Sequence, residues 1–184
     1  MSHHNKALNW TPKGAGQFRR FGLKVCYPTP VRLTQGRLWR PGEKKKSQQF
    51  WKYIEPLPKD DYAVYYYSSH EKTTYKKLQK RYPGAISMEN VEHFFASPNV
   101  IDLYSLTQRQ TDWPVGSYSI KSLATYLGFK WRDETPSGAL SIQWFNNYLE
   151  NNDKNILKRI LEYNEDDCKA LMILKDKLVE ISNN

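Results

Sequence analysis

The first quarter of this 184-residue chain almost entirely lacks acidic residues. Residues 1–42 contain no Asp or Glu, and residues 1–46 contain eleven Lys or Arg against one Glu, a net charge of +10. Residues 47–184 carry seventeen basic and eighteen acidic side chains and are nearly neutral. Because blocks of positive charge are typical of segments that contact phosphates, the sequence predicts a basic N-terminal arm over residues 1–46 and a domain over residues 47–184.

Long apolar runs are also absent. No segment approaches the ~18–20 apolar residues of a membrane-spanning helix, and the N-terminus lacks the apolar core of a signal peptide. Two cysteines, Cys26 and Cys168, are too few for a disulfide framework or a cysteine-based metal site. We therefore expect a cytoplasmic protein without membrane association, in which Cys168 is a small packed residue.

The nearly neutral part alternates between strand-like and helix-like patterns. Residues 62–67 and 100–103 form apolar runs that are typical of strands buried on both faces. Helical patterns cover residues 48–54, 70–81, 90–95, 119–127, 141–149 and 155–181. This order of elements predicts an α/β layer architecture.

The last predicted helix carries an acid on its apolar stripe. Asp167 shares that stripe with Leu171, and Tyr163 lies one turn before it. Because an unpaired buried carboxylate is costly and otherwise gives up its charge, it needs a partner or a metal ion, and Asp167 is a candidate site residue. Asp166, about 100° around the helix, is expected to be solvated. An alternative is that one of the two aspartates caps a second helix beginning at Cys168.

A family resemblance rests on five segments that include this one. Residues 162–171 resemble the third motif of the DnaQ-type 3'–5' exonucleases of the RNase H-like superfamily, and more closely the YprB-type RNase H-like domain found at the C-terminus of some predicted RecB-family nucleases. Four further segments resemble other blocks of that family in the same order: 66–73, 100–104, 117–129 and 137–144. The resemblance implies an RNase H-like α/β fold, hydrolysis of DNA or RNA, and a Mg²⁺ or Mn²⁺ cofactor.

The resemblance also implies roles for individual residues. Asp167, Glu71 and Asp102 would bind the metal ions, and Tyr163 would orient the attacking water or help to deprotonate it. Glu71 occupies the place of the second-motif acid, but Ser68 and Glu71 also fit a capping box for the helix over residues 70–81. For Asp102, capping of the turn that follows is an alternative to metal binding.

Four lysines are candidate contacts to nucleic acid. Lys44, Lys45 and Lys46 close the basic arm, in which aromatic residues that could stack on bases are interleaved with the positive charges. Lys121 lies in the first turn of a predicted helix, where a phosphate would also meet the helix N-terminus. A solvated surface lysine is the alternative interpretation of Lys121.

One family motif is missing from the chain. Nucleases of this superfamily begin with a strand carrying Asp-x-Glu, and this sequence has no such strand, so it lacks or replaces the first strands of the sheet. Three interpretations are open: the first strands are encoded elsewhere, catalysis has been lost, or a partner chain supplies the strand. The leading hypothesis is a metal-dependent nuclease, and the alternative is an inactive nucleic-acid-binding module or a subunit that a partner chain completes.

Overall fold

A computed structural model describes residues 43–57 and 62–183, apart from the side chains of Glu43 and Lys46. The described elements, in chain order, are α1 (Glu43–Ile54), β1 (Val64–Tyr66), α2 (His70–Arg81), α3 (Met88–Ala96), β2 (Val100–Asp102), α4 (Leu103–Gln110), α5 (Ile120–Tyr126), α6 (Gly138–Asn151) and α7 (Lys154–Ser182). Nearly all of the predicted arm lies outside the described residues. Helix α1 runs across residue 46, where the sequence places the boundary between arm and domain.

The two strands pair in parallel and form the sheet of the described region. Val64 lies opposite Val100, and Tyr66 lies opposite Asp102. Helices α2 and α3 make the crossover that a parallel pair requires. The predicted α/β class is confirmed, in a mostly helical form with few strands. The strands are shorter than the apolar runs predict, and only Val64 and Val100 are fully buried.

Aromatic packing covers one side of this unit. Phe50 and Trp51 of α1 contact Tyr75 of α2, with ring centroids 4.9 Å and 5.5 Å apart. Phe94 of α3 joins them at 5.7 Å from Phe50. Edge-to-face and tilted ring pairs of this kind are favourable beyond the area they bury. Helix α1 is therefore part of the fold and lies over the βαβ unit.

Helix α7 lies at the centre of the remaining packing. Leu174 and Leu178 on α7 are fully buried in one core with Leu103 and Leu123. Towards its N-terminal half α7 packs on α6, where Tyr163 contacts Trp144 with ring centroids 5.9 Å apart. Two cores therefore hold α7 in place, and Asp167 lies between them along the helix.

The predicted helix over residues 155–181 is confirmed to within one residue at each end. It continues through Asp166, Asp167 and Cys168 without a break, so the alternative in which an aspartate caps a second helix is wrong. Cys168 is buried, as expected.

The capping box predicted at Ser68 and Glu71 is not formed. The N-cap of α2 is Ser69, which makes no side-chain capping hydrogen bond. Ser68 instead has a positive φ of 75°, and its N–H donates to Asp102 Oδ1 at 2.9 Å. Ser68 adopts this conformation because the chain turns sharply between β1 and α2. Its hydrogen bond to Asp102 ties this turn to the end of β2. Glu71 therefore does not form the capping box with Ser68, although its carboxyl group accepts from the backbone N–H groups of Glu71 and Tyr67.

Candidate functional site

Tyr163 and Asp167 lie one turn apart on the face of α7 that meets α5. The hydroxyl oxygen of Tyr163 accepts a hydrogen bond from Lys121 Nζ at 2.6 Å. Lys121 Nζ lies 4.0 Å from Asp167 Oδ1, and the same oxygen accepts from Trp131 Nε1 at 2.9 Å. The structure thus brings together three predicted site residues, Tyr163, Asp167 and Lys121, and adds Trp131, which carries no sequence signal of its own.

Burial controls the protonation of this group. Burial raises the pKa of Asp167, and Lys121, Trp131 and Tyr163 partly offset that rise by stabilising the carboxylate. Burial raises the pKa of the Tyr163 hydroxyl, and the neighbouring charge of Asp167 raises it further. Burial lowers the pKa of Lys121, while Asp167 opposes the change. Because the Tyr163 hydroxyl keeps its proton at neutral pH, it is suited to orienting a bound molecule by hydrogen bonding and poorly suited to abstracting a proton.

Asp166 is not the solvated neighbour that the sequence predicts, because it is only 2% exposed. Its Oδ2 accepts from the backbone N–H of Arg132 at 2.8 Å, and its Oδ1 accepts from Arg132 Nε at 3.0 Å. Arg132 also donates to Glu165 at 2.7 Å and to the carbonyl of Glu162 at 2.9 Å. The chain between α5 and α6 is therefore fastened across α7, and this attachment places Trp131 against Asp167.

Replacing Asp166 with alanine is expected to reduce the free energy of unfolding by about 2 kcal/mol, because the change leaves the Arg132 amide and guanidinium without their buried acceptor. Because Arg132 is half-exposed, water can replace part of the lost hydrogen bonding, so the loss is smaller than for a fully buried ion pair. Urea unfolding measures this loss in the free energy of unfolding. Glu165→Gln is the matched control, since it removes an exposed carboxylate from the same arginine. Equal unfolding midpoints for the two variants would contradict the role given to Asp166.

A second pair of acids lies where the parallel strands end. Asp102 Oδ1 accepts from the N–H groups of Ser68 and Tyr104 at 2.9 and 3.0 Å, and Oδ2 accepts from Ser105 Oγ at 2.9 Å. Asp102 is thus the N-cap of α4, which confirms the capping interpretation. The carboxyl ends of parallel strands are where open α/β sheets bind ligands, so the pair lies in a suitable place for a site.

Glu71, in the first turn of α2, is the unsatisfied member of this pair. Its Oε2 is buried without a hydrogen-bond partner. Burial raises the pKa of Glu71 to about 7, and the charge of Asp102 adds to the rise, against the effect of backbone hydrogen bonds at Glu71 and Tyr67. Since buried polar atoms are normally satisfied, this orphaned oxygen beside a second carboxylate fits a ligand that is a cation.

The two groups of acids do not merge into one cluster. Within residues 43–57 and 62–183, no three His, Cys, Asp or Glu side chains come close enough to share a metal ion. Binding of a metal ion by Asp167, Glu71 and Asp102 therefore stays a prediction. Lys44 and Lys45 are exposed on α1, while the side chain of Lys46 lies outside what the structure describes, so contact of these lysines with nucleic acid also stays a prediction.

A polar cleft of about 300 Å³, which the prediction did not include, lies beside Tyr163. Tyr163 forms part of its wall, and the pair of Arg159 with Asp133, joined at 2.5 Å, forms another part. The guanidinium of Arg159 also covers the ring of Trp144 at 3.9 Å from the centroid. The cleft has room for a small polar molecule beside Tyr163, but its lining does not include Lys121 or Asp167.

The described part of the chain contains no helix with the length and apolar character needed to cross a lipid bilayer. A family model, RNase_H_2 of the RNase H superfamily, matches residues 30–179. The matched range includes every described helix and strand except the last three residues of α7. The chain shows no significant match to any curated protein or solved structure.

Proposed function

Since the chain belongs to the RNase H superfamily, we propose that it is a metal-dependent nuclease that hydrolyses phosphodiester bonds of DNA or RNA in the manner of a 3'–5' exonuclease. Membership of the superfamily points to a nuclease or a nucleic-acid-binding function. The order of the five sequence blocks supports the narrower placement in the YprB-type group. The carboxyl groups of Glu71 and Asp102 at the strand ends and of Asp167 on α7 support a nuclease over a module that only binds nucleic acid.

The observation that carries the proposal is the buried, unpartnered Oε2 of Glu71 next to Asp102. Carboxylate oxygens are the ligands that Mg²⁺ and Mn²⁺ prefer in proteins. In the proposal Glu71 and Asp102 would hold the cofactor at the strand ends, and Asp167 would be a metal ligand in its own, separate group on α7. The bound ion would activate a water molecule and neutralise charge on the phosphate.

The chain's own residues account for the remaining part of the proposed reaction. The Tyr163 hydroxyl accepts from Lys121 and hydrogen bonds to Asp167, so its orientation is set from two sides. It would position the attacking water or a phosphate oxygen. The packing of Tyr163 against Trp144 keeps the ring in place, which limits the motion of the hydroxyl.

The proposal is tested with 5'-end-labelled single-stranded DNA and RNA, incubated with the purified chain in Mg²⁺, Mn²⁺ or EDTA. We expect a ladder of progressively shortened products with either metal ion and intact substrate in EDTA, because hydrolysis depends on the ion that the carboxylates hold. Cleavage that is equally fast in EDTA, or folded protein that never cleaves either substrate, would refute the proposal.

A second candidate function is favoured by the surroundings of Asp167. Its carboxylate already faces Lys121 and Trp131, and the described residues contain no group of three potential metal ligands. Both features are consistent with an inactive nucleic-acid-binding module, or with a subunit whose sheet a partner chain completes. The exposed sheet edge of such a subunit would favour self-association of the isolated chain.

The binding module predicts affinity for nucleic acid that falls steeply with salt and does not respond to EDTA. Each phosphate contact that is lost lowers the slope of log affinity against log salt by about one. Replacing Lys44, Lys45 and Lys46 together with glutamine should therefore weaken binding and flatten the salt dependence. Fluorescence anisotropy with a labelled oligonucleotide measures both, and replacement of the exposed Lys130 is the control. Affinity that is independent of salt would exclude this function.

A further inference from the structure

We propose that the ammonium group of Lys121 is the resident counter-ion of Asp167 and competes with a divalent metal ion for that carboxylate. The inference deepens the proposed nuclease site and rests on it for the role of the metal ion. Its first part, the coupling of Lys121 to Asp167, is a property of the chain itself and is testable without metal or substrate.

The ammonium group is enclosed by groups that favour a cation. Lys121 Nζ lies 2.6 Å from the hydroxyl oxygen of Tyr163 and 4.0 Å from Asp167 Oδ1. It also lies 4.7 Å from the centroid of the Tyr163 ring and 5.5 Å from that of Trp131. Aromatic faces within about 6 Å attract a cation. A carboxylate, a hydroxyl oxygen and two aromatic rings thus surround one positive charge.

Lys121 is held in this position by the helix that carries it. Its neighbours on α5, Leu123 and Ala124, are both fully buried, and α5 packs against α7. Ser119 caps the helix by accepting from the N–H of Ser122 at 3.1 Å. The backbone of Lys121 therefore has little freedom, so its ammonium group stays close to Asp167.

The other cations near this part of α7 already have partners. Arg132 is bonded to Asp166 and Glu165, and Arg159 is bonded to Asp133. Lys121 is the described cation that pairs with Asp167. Trp131 Nε1 donates a hydrogen bond to the same oxygen, Oδ1, at 2.9 Å. This oxygen therefore has less room for a further ligand. A second, divalent cation at Asp167 would meet repulsion from the ammonium at short range, so Lys121 must move away before the ion binds.

The first experiment is a double-mutant cycle in EDTA with Lys121→Gln, Asp167→Asn and the double variant, using urea unfolding. Burial acts against both charges, so the test is the coupling between the two changes and not the sign of either one. We expect the two changes to be non-additive by about 3- to 10-fold in the unfolding equilibrium constant, because the first change already removes the interaction. Strictly additive effects would overturn the assignment of Lys121 as the counter-ion.

The second experiment measures Mn²⁺ binding by calorimetry. Lys121→Gln should bind Mn²⁺ with a Kd about tenfold lower than the wild type, since the competing charge is gone. Adding Asp167→Asn should remove that gain, and the exposed control Lys130→Gln should bind as the wild type does. An unchanged or higher Kd for Lys121→Gln, or no binding by any variant, would overturn the competition.

These results separate the inference from the proposed function. If the cycle shows coupling and Lys121→Gln gains Mn²⁺ affinity while no protein cleaves DNA or RNA, the inference holds and the nuclease proposal fails. If the wild type cleaves in a metal-dependent manner but Lys121→Gln shows neither coupling nor a gain in affinity, the nuclease proposal holds and the inference fails.

Discussion

Replacing Asp167 with asparagine should lower the rate of metal-dependent cleavage at least about 100-fold, because it removes a negative charge that the proposed cofactor and the Tyr163 hydroxyl both use. Asparagine has nearly the same shape, and its side-chain oxygen can still accept from Trp131 Nε1. The fold should therefore be preserved while the charge is lost. Single-turnover cleavage of labelled DNA or RNA in Mn²⁺ measures the rate.

Asp176→Asn is the matched control for this prediction. Asp176 lies on the same helix with a side chain that is 63% exposed, and its replacement should leave the rate unchanged. Circular dichroism and the unfolding midpoint of Asp167→Asn confirm that the variant is folded. A folded Asp167→Asn protein that cleaves as fast as the control would remove Asp167 from the proposed site.

Replacing Glu71 with glutamine should stabilise the metal-free protein at pH 8 by about 3 kcal/mol. The pKa of Glu71 is raised to about 7 from an ordinary value of 4.5, chiefly by burial. A neutral glutamine avoids the cost of a buried charge, and its amide can occupy the same space. The same substitution should abolish stabilisation by Mn²⁺, because it removes the carboxylate that the proposed cofactor needs.

The effect of Glu71 on stability depends on pH with a definite sign. Below about pH 4.5 the carboxyl group is protonated in both the folded and the unfolded chain, and its contribution to stability is fully present. Between about pH 4.5 and pH 7 the unfolded chain releases the proton while the folded chain retains it, so stability falls as the pH rises. Above about pH 7 the loss is complete and constant.

Urea unfolding of the wild type and of Glu71→Gln from pH 5 to pH 8 in EDTA tests this dependence. The difference between the two proteins should be small at pH 5 and largest at pH 8. The exposed Glu89→Gln variant serves as the control and should follow the wild type across the range. A difference that is the same at both ends of the range, or a Glu71→Gln protein less stable than the wild type at pH 8, would show that Glu71 is not a strained buried acid.

Asp167→Asn and Glu71→Gln also distinguish the role of Asp167 on α7 from the role of Glu71 at the strand ends. Asp167 has partners in the folded chain, in Lys121, Trp131 and Tyr163, whereas the Oε2 of Glu71 has none. A residue that destabilises the fold and yet persists in a buried position is typical of a functional site. Stabilisation by Glu71→Gln together with loss of Mn²⁺ binding would support this interpretation of Glu71.

Sequence patterns predict those features of the protein that depend on local spacing. The helical period places Tyr163 and Asp167 one turn apart and gives α7 to within a residue at each end. The apolar runs indicate both strands, and the alternative in which Asp102 is a cap at the end of β2 is right, although the sequence predicts a turn after it and the structure forms helix α4 there. Each of these follows from residues within a few positions of one another, where backbone geometry alone determines which side chains share a face.

Tertiary packing decides which of those faces is covered and what touches it. Asp166 is buried because Arg132, 34 residues earlier, folds across α7, and Asp167 meets Trp131, 36 residues away. Lys121 reaches Tyr163 across 42 residues of sequence. No local pattern carries such contacts, because a helix offers several faces of similar polarity and only the packing of distant segments determines which ones lose water. The sequence by itself therefore determined the strands, most of the helices and the Tyr163–Asp167 pair. The tertiary structure decided that a lysine and a tryptophan surround the pair, while the Oε2 atom of Glu71 is buried elsewhere without a hydrogen-bond partner.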